Sequence, residues 1–97
     1  MATLLEYPID GILDLHTFRP GEIHELVPDY LDLCRENRIY QIRIIHGKGS
    51  GTLRRIVHSI LDKRTDVRHY ALANTLEGGW GATVVDMEPS RSQSQPE

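Results

Sequence analysis

The stretch Ile42–Leu61, IRIIHGKGSGTLRRIVHSIL, decides the fold. It continues Ile39–His46 (IYQIRIIH), the most apolar and β-branched run of the chain, which predicts a central strand buried on at least one face. The run stops at Gly47. Beyond the glycines, Leu53, Ile56, Val57, Ile60 and Leu61 recur at i, i+3, i+4, i+7 and i+8. That spacing puts them on one stripe of a helix reaching about Lys63, with Arg54, Arg55 and His58 off the stripe. The junction between strand and helix suits a phosphate group. Glycine allows positive φ and close approach of a ligand to the backbone, helix-start N–H groups favour an anion, and Lys48 adds a compact positive charge. Gly47, Lys48, Gly49, Ser50, Gly51, Thr52 and Arg54 are therefore candidate phosphate-binding residues. The run fits neither the Walker A pattern nor a dinucleotide fingerprint, so a nucleoside-triphosphate site is not expected. The plainer reading is a tight turn with Ser50 or Thr52 as an ordinary N-cap.

Working outward, Gly11–Phe18 (GILDLHTF), bounded by Pro8 and Pro20, reads as a strand. Ile23, Leu26, Val27, Tyr30, Leu31 and Cys34 share one helical face, on a helix ending near Asn37 that Pro28 either kinks or starts. Val67–Ala73 and Ala82–Met87 read as two further strands, joined through Asn74–Gly81 by a hairpin-type connection or a flexible loop. The order β-α-β-α-β-β predicts an α/β (α+β) two-layer sandwich. Both helices should lie on one face of a four-stranded mixed sheet, leaving the other face open for binding. Residues 1–8 form an N-terminal arm, 9–88 the domain, and 89–97 (PSRSQSQPE), without a large apolar residue, a disordered tail.

Composition bounds the function. A chain of 97 residues, 39% hydrophobic and 26% charged, has room for one core. No apolar run approaches the roughly 18 residues that would span a bilayer, and the first residues lack the basic and apolar regions of a signal peptide. A cytoplasmic, soluble protein is expected. Cys34 is the only cysteine, which rules out an intrachain disulfide and a Cys-based zinc site. The net charge of −3 is unevenly spread: Arg35 to Arg68 hold nine Lys/Arg against three acids. A basic middle is what a nucleic-acid backbone needs, although a solvated helix face has the same composition. The chain is expected as a monomer or a weak homodimer formed through a sheet edge.

On the first strand, period 2 sends Leu13 and Leu15 to one face and Asp14 and His16 to the other. A carboxylate beside an imidazole can fix its tautomer, and imidazole moves protons near neutral pH. A structural Asp–His pair near a strand end is the blander alternative.

Three boxes now stand in order: Leu13-Asp14-Leu15-His16, then Ile45-His46-Gly47-Lys48-Gly49 with Leu53-Arg54, then Gly78-Gly79-Trp80-Gly81-Ala82-Thr83. Together they resemble the Smr domain, the small MutS-related family, from about Ile9 to Glu88. The resemblance implies the same sandwich, with binding of DNA or RNA and endonucleolytic cleavage of phosphodiester bonds. It places Asp14, His16 and His46 among the active-surface residues and adds Gly79, Trp80 and Gly81 as a binding loop, where Trp80 could stack on a base. The expected mechanism has Lys48 and the helix-start amides hold the phosphate while His16 or His46 activates the attacking oxygen. Asp14 would orient His16 or hold Mg²⁺ or Mn²⁺, although no second acid lies in the boxes to complete a two-metal site. The alternative is a module that binds branched or structured nucleic acid without cutting it. Target choice must then come from this domain or from a protein partner.

Overall fold

The structure is a computed structural model that describes residues 9–47, 49, 51–73 and 81–89. The elements are β1 (Ile12–Asp14), α1 (Pro20–Glu36), β2 (Gln41–Ile45), α2 (Thr52–Lys63), β3 (Val67–Leu72) and β4 (Ala82–Met87). The β-α-β-α-β-β order, the four-stranded mixed sheet and the two-layer architecture agree with the sequence reading. The sheet runs β1-β2-β4-β3, with β1 parallel to β2 and both other pairs antiparallel. The expected arm (1–8), the tail beyond Pro89, Lys48, Ser50 and most of the Asn74–Gly81 connection lie outside the described residues.

Alternation sorts the sheet into two faces. Ile42, Ile44, Thr83, Val85 and Met87 are buried under the helices, joined by Leu13 from β1. From the helix side come Ile23, Val27, Tyr30, Leu31 and Cys34 of α1 and Val57 and Leu61 of α2, the stripes anticipated from spacing. Ile12, Asp14, Arg43 and Val84 belong to the opposite, helix-free face, where Ile12 is half exposed.

The end of β1 and the start of α1 differ from expectation. The first strand ends at Asp14 rather than Phe18 because a turn closes there: Phe18 N–H bonds Leu15 O at 2.9 Å. The first helix begins at Pro20, in the first turn where a missing N–H is harmless, and the Glu22 carboxylate accepts the Arg19 N–H at 2.8 Å. Pro28 sits inside that helix and does not start it. The helix ends in a Schellman pattern: Arg38 takes the left-handed conformation (φ 62°), Ile39 N–H reaches Cys34 O at 2.8 Å and Arg38 N–H reaches Arg35 O at 3.0 Å.

One tie fixes β1 to the helix layer. The buried Tyr30 hydroxyl accepts Gly11 N–H at 3.1 Å and donates to Ile12 O at 3.2 Å. It sets the strand that carries Asp14.

Candidate functional site

Parallel pairing brings the C-terminal ends of β1 and β2 to one end of the sheet, where β4 starts. Asp14 is opposite Ile45, and Leu15 N–H continues the ladder to Ile45 O at 2.9 Å. Ile45 in turn pairs with Ala82. The first two sequence boxes and the Gly81–Thr83 part of the third therefore converge, although nothing in their spacing required it.

Asp14 and His16 do meet on one face, as alternation predicts: Leu13 and Leu15 are buried while Asp14 and His16 are exposed. The chain turns after Leu15, and Asp14 Oδ1 accepts both the His16 N–H at 3.0 Å and the ring Nδ1–H at 2.8 Å. This local side-chain bond takes an amide that a continuing strand would need, which helps end β1. The amide bond, followed by the ring, lowers the Asp14 pKa. A carboxylate only accepts, so Nδ1 carries a proton, and in the neutral ring Nε2 is the nitrogen with the free lone pair. The imidazole is 74% exposed, leaving that lone pair open to a ligand.

His46 is placed differently. It follows β2 in phase with Ile42 and Ile44, so its ring enters the helix side of the sheet and is only 6% exposed. Its Nε2 lies 2.7 Å from Thr83 Oγ1 and its Nδ1 3.0 Å from Gly47 O. The same Thr83 hydroxyl is 2.8 Å from Nε2 of His58 on α2. Burial is the first cause lowering the pKa of both imidazoles. His58 packs at 4.7 Å against Tyr70, whose hydroxyl donates to Asp62 at 2.6 Å. Sequence reading set His58 aside as off the apolar stripe and gave Thr83 no role. Only the cross-sheet pairing of Ile44 with Thr83 reveals the contact.

The turn after His46 shows how glycine is used. Gly47 has φ 86° and Gly51, the N-cap of α2, φ 93°. A Cβ on Gly51 would stand 3.0 Å from the Arg54 guanidinium. Neither Ser50 nor Thr52 is the N-cap; Gly51 is, and it has no side chain to cap the first amides. The first bond of the helix ladder joins Arg55 N–H to Gly51 O at 2.9 Å, so the Leu53 and Arg54 N–H groups precede it. The His46 and Gly47 N–H groups both go to Gly81 O, at 2.9 and 2.7 Å. Gly47 thus supplies conformation and not an amide. Lys48, Ser50, Gly79 and Trp80 lie outside the described residues, whereas Gly49 is described and exposed.

The basic middle is partly internal structure. Arg35 and Arg64 both bond Asp66, at 3.0 and 2.7 Å, and Arg64 also reaches Asp32 at 2.6 Å. Arg68 lies 3.8 Å from Glu88. Of the described cations, Arg54 and Arg55 flank the glycine turn. For a metal, Asp14 offers one carboxylate, and among the described residues no three His, Cys, Asp or Glu side chains group to hold an ion. That donor set does not form a protein metal cage, and no step below runs through one.

Comparison with known proteins gives the class. The Smr domain model matches residues 13–88, and the chain belongs to the Smr family. Among relatives, Endonuclease MutS2 of Halothermothrix orenii is 38% identical over 80 residues, covering 82% of this chain and 10% of the relative. Endonuclease MutS2 of Gemmatimonas aurantiaca is 39% identical over 75 residues, 77% of this chain and 9% of that one. The chain thus spans about a tenth of the length of these relatives. Among solved structures, the Smr domain of Thermus thermophilus MutS2 matches with TM-score 0.76 and 33% identity, covering 80% of this chain and 98% of that one. YdaL, a stand-alone small MutS-related protein from Escherichia coli, matches with TM-score 0.77 and 27% identity, covering 84% and 67%. The chain is homologous to the Smr domain of MutS2. Among the described residues no helix is long and apolar enough to cross a membrane.

Proposed function

We propose that this Smr domain binds DNA or RNA and cleaves its phosphodiester backbone as an endonuclease, with His16 as the general base. The observation that carries the reading is the Asp14–His16 bond. It orients an exposed ring whose neutral form carries its proton on Nδ1 and turns Nε2 to solvent, at the end of the sheet where the glycine turn opens α2. Homology to a protein named an endonuclease supports the reaction class.

In this mechanism a backbone phosphate rests at the start of α2, where the Leu53 and Arg54 amides and the Arg54 guanidinium, joined by Lys48 of the same turn, balance its charge. His16 Nε2 accepts the proton of the attacking oxygen, a water or the 2′-hydroxyl of RNA; as that oxygen bonds to phosphorus, the P–O bond to the departing strand breaks and the leaving oxygen takes a proton from solvent. The negative Asp14 carboxylate holds Nδ1–H and stabilises the imidazolium that forms. Trp80, adjacent to Gly81 in sequence, would supply a ring for stacking on a base.

The test incubates the protein with labelled single- and double-stranded DNA and RNA, with Mg²⁺, with Mn²⁺ and with chelator, beside Asp14→Ala and His16→Ala. Loss of the base is expected to slow cleavage by about 10²–10⁴-fold without abolishing binding. Cleavage that survives both substitutions overturns the assignment. Salt-dependent binding with no product from the unaltered protein would instead make the domain a binding module.

A further inference from the structure

The three hydrogen bonds around His46 share a limited supply of protons, and their order can be worked out. Gly47 O can only accept, so His46 Nδ1 carries a hydrogen. Burial disfavours the charged form of both rings, and in the neutral His46 ring a proton on Nδ1 leaves Nε2 bare. It must accept from the Thr83 hydroxyl. That hydroxyl has one hydrogen, now used, and therefore accepts from His58 Nε2–H. The chain runs from His58 through Thr83 to His46 and ends on a carbonyl.

We infer that His46 is a positioning residue and not a proton-transfer group: Gly47 O and the Thr83 hydroxyl, itself held by His58, together lock its ring as the Nδ1–H tautomer, and the locked ring fixes the start of the glycine turn. Its one basic lone pair is occupied in the core, and its one N–H points to a group that cannot pass a proton on. Together with the two N–H bonds to Gly81 O, this satisfies the His46 and Gly47 N–H groups and the Gly47 carbonyl on the protein side. The turn then leaves Gly47 in one conformation, with its φ of 86°, toward α2. His58 and Thr83 join the positioning set, although His58 belongs to none of the three sequence boxes. That the fixed turn serves cleavage rests on the reading of the preceding subsection; the tautomer lock does not.

The experiment uses protein labelled with ¹⁵N-histidine. Long-range ¹H–¹⁵N correlation at neutral pH should show His46 protonated at Nδ1 and bare at Nε2, and His58 the reverse. Thr83→Val removes the shared hydroxyl and should abolish the unique His46 tautomer pattern and speed exchange of the Gly47 amide at least tenfold. Thr83→Ser should restore both. His58→Leu, at a half-buried position, tests the same lock should Thr83→Val fold poorly, and His58→Gln, which keeps a donor, should rescue it. A His46 ring protonated at Nε2, or a Gly47 amide equally protected in Thr83→Val and His58→Leu, overturns the inference. These readouts stand even if the domain cuts no nucleic acid. If it does cut, Thr83→Val should lower the cleavage rate without altering the shape of its pH profile, and a changed profile would make His46 the titrating base.

Discussion

Asp66 offers the most quantitative test of how this small sheet is held, at a point outside the candidate site. Its carboxylate accepts Arg64 Nε at 2.9 Å, Arg64 Nη2 at 2.7 Å and Arg35 Nη1 at 3.0 Å. Arg35 also donates to Glu88 O at 3.2 Å, so one carboxylate ties α1 to the turn before β3 and to the residue after β4. The side chains of Asp66, Arg64 and Arg35 are 15%, 18% and 23% exposed. Removing one partner of a fully buried ion pair costs about 3–5 kcal/mol. Partial hydration of the two stranded guanidiniums reduces this, and Asp66→Ala should cost about 2–3 kcal/mol. With about 4–8 °C per kcal/mol for a domain of this size, Tm should fall by roughly 10–20 °C.

The pH dependence has a definite sign. The Arg64 hydrogen bonds, the largest cause, depress the Asp66 pKa below its unfolded value. Its contribution is therefore fully present above the unfolded value of about 3.9 and is lost as pH falls through the folded one. Arg64 is raised further above an already high value and stays protonated throughout, so it adds no pH dependence. Urea titrations of the unaltered protein and of Asp66→Asn at pH 7 and pH 3 should show a stability difference that is larger at pH 7. An Asp66→Ala protein within about 0.5 kcal/mol of the parent at pH 7, inside the range of ordinary surface substitutions, refutes the reasoning, as does a gap that widens in acid.

Three further outcomes follow from the packing. Tyr30→Phe strands the Gly11 N–H and should cost about 1–2 kcal/mol in thermal unfolding, with faster exchange of that amide. Arg38→Gly relieves a left-handed residue at the cap, against a glycine entropy penalty, for a net gain of about 0.5 kcal/mol; a lower Tm would contradict the Schellman geometry. Cys34 is buried and burial pushes its thiol up to about 11, so a thiol reagent at pH 7.5 should modify it only at the rate of unfolding.

How much was legible in the sequence depended on whether the cause was local. Ala82–Met87 was placed to the residue, and the α2 stripe was read correctly, because burial imposes a period that sequence spacing records. The first strand was overextended because Asp14 takes the His16 amide, a side-chain bond that a polarity pattern does not register. The basic middle stayed ambiguous in the sequence: Arg35 and Asp66 are 31 positions apart, and no charge count shows that they pair. In the site, Asp14 and His16 lie on the one face that period 2 gives them, and the turn after Leu15 closes their hydrogen bond. His58 had no sequence signal of its own; the clue lay in Thr83, a polar residue in a strand position that alternation would send under the helices.

The division of the two histidines between the faces of the sheet has a consequence for how such a domain can diversify. His16 stands in solvent at the end of a three-residue edge strand, where changes alter what approaches the site and disturb little beneath it. His46 is rooted among side chains that also hold the helices down, so its tolerance for substitution is that of a core residue. A solvent-facing turn and a core-rooted one can therefore drift at different rates. Exchanging the Asp14–Phe18 turn between family members should disturb less packing than exchanging the glycine turn, which would have to carry Thr83 and His58 with it.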